Sequence, residues 1–189
     1  MSIREPAARE RIRRFEAEVL VHLDDLYRAA LRLTGNAPEA EDLTQDTCLR
    51  AFECLDQLRS SAAGRAWAFT ILRSIFLRRI ERQSTHPRVI SLDDIEASFL
   101  APGEILRDSY EALLPVQETP LAEVREGLAR LPLLYREPIV LAHIGGFSYK
   151  EIAQILAIPL GTVMSRLFRG RRLLRSELRE GRSRTRTPS

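Results

Sequence analysis

Apolar residues recur at threes and fours through most of the chain, and this one period constrains the fold more than any other feature. Phe15, Val19, Leu23, Leu26, Ala30 and Leu33 mark a first long amphipathic helix over 10–34. No sustained two-residue alternation occurs, and no Asn-Gly or Asp-Gly pair joins strand-like runs. "TGNAPEAED" interrupts the period: Gly35 suits a helix C-terminus, Asn36 an N-cap and Pro38 a first turn. The next helix runs to about Leu58, with Glu39, Glu41 and Asp42 at its positive end. "RSSAAG" is a break, and a third helix follows from about Arg65 to Gln83.

Residues 84–120 differ. Pro87, Pro102, Pro115 and Pro120 are spread through them with Gly103 and seven acids. They read as an extended, weakly structured connector in which only "SLDDI" and "SYEALL" suggest helical turns. Helical periods return with "LAEVREGLARL" and "LLYREPIVLAHI", where Pro138 is tolerable only near a helix start. Ser148 opens a capping box closed by Glu151. Ile152, Ala153, Ile155 and Leu156 give that short helix its inner face. Pro159 suits the first position of the helix that follows, and "EGRSRTRTPS" reads as a basic, disordered tail.

Charge divides the chain in the same places. Net charge is +1 over 1–83, −5 over 84–120 and +7 over 121–189. A near-neutral block, an acidic connector and a basic block predict two domains and a linker. No apolar run approaches the roughly 20 residues that span a bilayer. The N-terminus lacks the apolar core of a secretory signal, so the expected location is the cytoplasm, without membrane contact. Cys48 and Cys54 stand six apart, and His22, His86 and His143 are scattered without metal-ligand spacing. No nucleophile–base pairing and no phosphate-cradling glycine loop is present. The chain is therefore expected to be no enzyme and to hold no cofactor or metal.

"GTVMSRLFRGRRLLR" carries the chemistry. Val163, Leu167 and Leu174 form an inner stripe, which leaves Met164, Ser165, Phe168, Arg169 and Arg172 for the outer side. A short helix, a tight turn and a basic second helix match a helix-turn-helix, whose second helix lies in the major groove. Arg169 and Arg172 can fork to guanine, while Phe168 and Met164 can meet thymine methyls or sugars. Arg166, Arg171 and Arg175 are better suited to phosphates, which position but do not specify. A helical hairpin with a solvated basic face fits this stretch alone comparably well. A membrane-surface helix fits less well, because Gly170 and Ser165 weaken its apolar face.

"FSYKEIAQILAIPLGTVMSRLFRGRRLLR" resembles the C-terminal promoter-reading domain of extracytoplasmic-function (ECF, group 4) bacterial sigma factors. "LYRAALRLTGNAPEAEDLTQDTCLRAF" is similar to their regions 2.1–2.2, "RAWAFTILRSIFLRRIERQ" to regions 2.3–2.4, and "RVISLDDI" to the start of their linker. The resemblance implies an all-α fold: a region 2 helical bundle over 1–84, an acidic flexible linker over 85–119, a region 4 helix-turn-helix over 120–180 and a basic tail over 181–189. It implies core RNA polymerase as partner, with Asp42, Leu43, Gln45 and Asp46 on the β′ coiled coil and the second domain toward the β flap. It implies promoter DNA as the other partner. Arg65, Trp67, Phe69, Arg73, Ser74 and Arg78 would serve the −10 element and melting, with Arg79 and Arg82 along the same path. Core packing also accounts for Trp67 and Phe69, and is the stronger reading of both. "RSSAAG" falls where the family cradles a flipped base. Met164, Ser165, Arg166, Phe168, Arg169, Arg171 and Arg172 would serve the −35 element. Two positions depart from common family usage: Ser74 stands where many relatives have Asn, and Met164 where some have Arg. The combination is similar to members held inactive by zinc-binding anti-sigma factors in stress responses.

Two other functions remain open to the sequence. A stand-alone helix-turn-helix repressor or activator would bind duplex DNA without polymerase, but has no need of the N-terminal block. A helical scaffold or anti-regulator has no need of a basic recognition helix.

Overall fold

The computed structural model of the protein describes residues 4–60, 63–83 and 121–185. The linker expected over 85–119, with its "SLDDI" and "SYEALL" turns, lies outside them, as do Ser61 and Ala62 of "RSSAAG" and residues 186–189 of the tail. The described residues form eight α-helices and two 3-10 turns, with no strand among them. Contacts divide the chain into two units, one ending at Gln83. No single described helix is long and apolar enough to cross a membrane.

The first unit holds α1 (Arg4–Glu18), α2 (Leu23–Thr34), α3 (Ala37–Glu53) and α4 (Gly64–Gln83). The single helix expected over 10–34 is two helices, separated by a 3-10 turn at Leu20–His22. The bend turns Val19 fully into the core and leaves Leu20, Val21 and Leu23 exposed. An unbroken helix would have put Leu23 on the buried stripe instead. α2 then buries Leu26, Ala29, Ala30 and Leu33. Arg11 of α1 donates to the Phe52 carbonyl at 2.9 Å and the Glu53 carbonyl at 3.2 Å. These carbonyls lie at the C-terminus of α3, where a cation is favoured. The same guanidinium lies 5.2 Å from the centre of the Phe52 ring, which meets Phe15 edge-on.

Caps fall where the sequence put them. Gly35 ends α2 with φ 85°. The Asn36 side chain accepts from the Glu39 N–H at 2.9 Å. α3 stops at Glu53 rather than Leu58, and a 3-10 turn at Leu55–Gln57 carries the chain on, burying Leu55 and Leu58. α4 starts against α1: a Cβ on Gly64 would stand 2.7 Å from the Glu18 carbonyl oxygen, so only glycine fits. α2, α3 and α4 pack together, and Phe69, Leu72, Ile75 and Phe76 of α4 join the core.

The second unit holds α5 (Leu121–Arg130), α6 (Leu133–His143), α7 (Tyr149–Leu156) and α8 (Leu160–Thr185). Pro138 is the sixth residue of α6, not one of its first turn. It is fully buried, and packing there outweighs the hydrogen bond its missing N–H forgoes. Ser148 and Glu151 form the expected capping box, with the Ser148 N–H donating to Glu151 Oε2 at 2.8 Å. Ala157 takes the left-handed conformation (φ 54°) at the corner after α7. Pro159 stands just before α8, its carbonyl accepting from the Val163 N–H at 3.1 Å. α8 packs on α5, α6 and α7 and continues to Thr185, so its helix extends past the end expected at 180.

Candidate nucleic-acid interface

Three neighbours clasp α8, so its buried arc is wider than one stripe. Val163, Leu167, Gly170 and Leu174 lie on the arc's centre, and all are buried. Phe168 and Arg171 are also buried, each only 8% exposed. This corrects two expectations. Phe168 does not stand on the outer side, and Arg171 is not a surface cation placed for phosphates. Arg171 follows Leu167 by four residues and so turns inward with it. His143 keeps solvent-exposed surface, yet desolvation by the atoms packed around it first, and the nearby Arg171 charge second, lower its pKa. The Nε atom of Arg171 is buried without a hydrogen-bond partner.

The row opposite the arc's centre is Thr162, Ser165 and Arg169, all half-buried, and Arg172, exposed, at helical spacings of three and four. Thr162 was missed from the sequence, although its spacing from Ser165 announces it. Ser165 Oγ donates back to the Thr162 carbonyl at 3.1 Å, which leaves its lone pairs to accept. Met164 and Arg166 flank this row and are half-buried like its first three members. The Arg172 guanidinium lies 5.8 Å from the Phe168 ring centre, so the aromatic supports an outward arginine instead of facing outward itself.

In the first unit, Trp67, Ile71, Ser74 and Arg78 form one row along α4, half-buried at the start and exposed at Ser74 and Arg78. Arg78 Nε donates to the Ser74 carbonyl at 3.2 Å. Phe69 is off this row: it is 1% exposed and belongs to the core, as the stronger reading held. Arg65 turns toward α2 and pairs with Asp25 at 2.9 Å, and Asp25 also accepts from Arg28. Arg73 is half-buried on another side of α4.

The α3 residues expected to meet polymerase separate in the same way. Leu43 is fully buried, which corrects its assignment to the outer face. Asp42, Gln45 and Asp46 are exposed, and the same row continues through Leu49 and Glu53. Leu49 is 60% exposed, a large apolar side chain set among acids. It was overlooked, although its seven-residue distance from Asp42 places it on that face.

Two family models match these units. Sigma-70 region 2 matches residues 19–86, and Sigma-70, region 4 matches residues 121–174. The chain is 32% identical over 159 residues to the ECF RNA polymerase sigma factor EcfG of Rhodopseudomonas palustris, covering 82% of this chain and 79% of the relative. The chain belongs to the ECF sigma factors. It is also 30% identical to ECF sigma factor SigW of Bacillus subtilis, covering 85% of this chain and 86% of the relative. SigE of Mycolicibacterium smegmatis is 35% identical over 87% of this chain, which spans only 61% of that relative's length. Among solved structures, the sigma factor RpoE in complex with the anti-sigma factor NepR from Bartonella quintana matches with TM-score 0.65 and 29% identity, covering 87% of this chain and 96% of that one. CnrH in complex with the cytosolic domain of CnrY matches with TM-score 0.60 and 26% identity, covering 88% of each. Sigma factors are transcription initiation factors and not enzymes.

Proposed function

We propose that this chain is a group 4 sigma factor that binds core RNA polymerase in the bacterial cytoplasm and directs it to a two-element promoter. The supporting observation is the pair of matches, region 2 then region 4, each on a helical unit with an outward row of binding residues. On this reading Asp42, Gln45, Asp46 and Leu49 meet the β′ coiled coil, Leu49 supplying the apolar anchor and the acids the complement to a basic partner. Trp67, Ser74 and Arg78 of α4 face the −10 element, with Trp67 available to stack on an unpaired base. Ser165, Arg169 and Arg172 of α8, with Thr162 and Met164 beside them, read the −35 element. Arg166 holds phosphate.

An anti-sigma factor holds the protein inactive until a stress signal arrives, and zinc-binding inhibitors are the kind its sequence resembles. Support comes from the two solved relatives, whose structures are complexes with an anti-sigma factor and with the cytosolic domain of CnrY.

Run-off transcription with core polymerase on a randomised promoter library tests the proposal. Enrichment of two spaced elements, dependent on this chain, is the expected result. Tight sequence-specific binding to duplex DNA by the chain alone, unchanged by polymerase, would instead make it a stand-alone regulator.

A further inference from the structure

Two surfaces of the first unit share one ion pair. Arg79 of the arginine-rich α4 places Nη2 2.5 Å from Asp46 Oδ2 on the acidic row of α3. Its Nη1 reaches the Glu39 carbonyl at 3.5 Å. One guanidinium therefore bridges the Asp46 side chain and the carbonyl of Glu39, seven residues earlier on α3, at the seam between the acidic row and the arginine helix. The pair is open to exchange: the Asp46 side chain is 54% exposed and that of Arg79 29%. Such a pair gains little over its hydrated components and yields to a better-placed competitor.

We propose that Asp46–Arg79 is a latch that couples polymerase docking to nucleic-acid binding. It rests on the reading that the acidic row of α3 is the polymerase surface. In the free protein, an arginine of the nucleic-acid helix is held by an acid of the docking row. A basic partner arriving on the row takes Asp46 and releases Arg79 to join Arg78 and Arg82 against the DNA backbone. Linkage requires the converse: nucleic acid that draws Arg79 away bares Asp46 and strengthens docking by the same factor. The exchange of a single exposed pair limits the coupling to about two- to fivefold. It works within one unit, between faces only one ion pair apart.

A double-mutant cycle on the full chain tests the latch. Binding to a fluorescent, randomised single-stranded DNA is measured by anisotropy for the wild type, Asp46→Asn, Arg79→Gln, the double variant and Asp42→Asn, with circular dichroism to verify the fold. Asp46→Asn is expected to tighten DNA binding about two- to fivefold. That gain disappears in the Arg79→Gln background, and Asp42→Asn shows only the smaller gain from losing a nearby negative charge. Equal gains for Asp42→Asn and Asp46→Asn, or a gain that persists without Arg79, overturn the latch. Affinity for purified core polymerase provides the second arm. Arg79→Gln is expected to tighten it by freeing Asp46, and weaker binding by a folded Arg79→Gln variant overturns the competition. If neither Asp42→Asn nor Asp46→Asn weakens polymerase binding, the docking assignment fails. The DNA cycle, measured without polymerase, still decides the ion pair's own role.

Discussion

Gly170 lies where α8 crosses α6, and one added methyl group there sets two effects against each other. Alanine favours an interior helix position over glycine by about 0.8–1.0 kcal/mol. Its Cβ would stand 2.8 Å from Ile139 Cδ1, 3.1 Å from Tyr135 Cβ and 3.2 Å from the Tyr135 carbonyl oxygen. The Ile139 methyl can rotate away, but the Tyr135 backbone cannot, so the two helices must separate by a few tenths of an ångström. Overpacking of this kind costs about 1–3 kcal/mol. The net expectation for Gly170→Ala is a loss of about 0–2 kcal/mol, or about 4–8 °C of melting temperature per kcal/mol in a unit this small. Gly161 on the same helix is the control, because a Cβ there meets nothing within 4 Å. Gly161→Ala should raise stability, by less than the interior value of about 1 kcal/mol because Gly161 is only the second residue of α8. Circular dichroism follows both units, while the fluorescence of Trp67, the chain's single tryptophan, follows the first unit alone and should not change. The close-approach reasoning is refuted if Gly170→Ala raises the melting temperature of the second unit as Gly161→Ala does.

Three further outcomes are expected. Phe168→Ala should destabilise the second unit by about 3 kcal/mol in chemical denaturation, because it empties a core site. A variant of wild-type stability with altered −35 preference would contradict this. Leu49→Arg should weaken core polymerase binding about tenfold or more while changing the stability of the first unit by no more than about 0.5 kcal/mol. Retained affinity in a competition assay would remove Leu49 from the docking row. For Asp25, burial raises the carboxyl pKa, but hydrogen bonds and charge from Arg28 and Arg65 outweigh it, so the net shift is downward from 3.8. A folded pKa below the unfolded one stabilises fully above pH 3.8 and is lost as pH falls through the lowered value. The Trp67 unfolding transition of Asp25→Asn should therefore lie below wild type at neutral pH and converge with it in acid. A constant gap across that range would refute the linkage.

Much of the fold could be read in the residues, because local chemistry and packing agree at the caps of α3 and α7 and along α4. Where they part, sequence reasoning went astray. The bend at Val19 carries no glycine or proline. It follows from burying Val19 itself, a tertiary demand invisible to a period of threes and fours. In α8 the stripe Val163, Leu167, Leu174 was legible, but the width of the buried arc was not. Contact with three helices draws in Phe168 and Arg171, and Gly170 between them was the overlooked sign of a close crossing. On α3 the error was one of direction. Leu43 and Leu49 are both leucines on an acidic helix, yet their angles about its axis put one in the core and the other in solvent.

The outward row of α8 lies away from α5, α6 and α7, and that separation has an evolutionary consequence. Exposed substitutions that leave a scaffold untouched change stability by no more than about 0.5 kcal/mol. Arg172, the exposed member of the row, can therefore be exchanged without taxing the fold, and a duplicated copy of the gene could begin a new promoter vocabulary there. Thr162, Met164 and Ser165, all half-buried, are tied to both roles, and are where such divergence should run slowest.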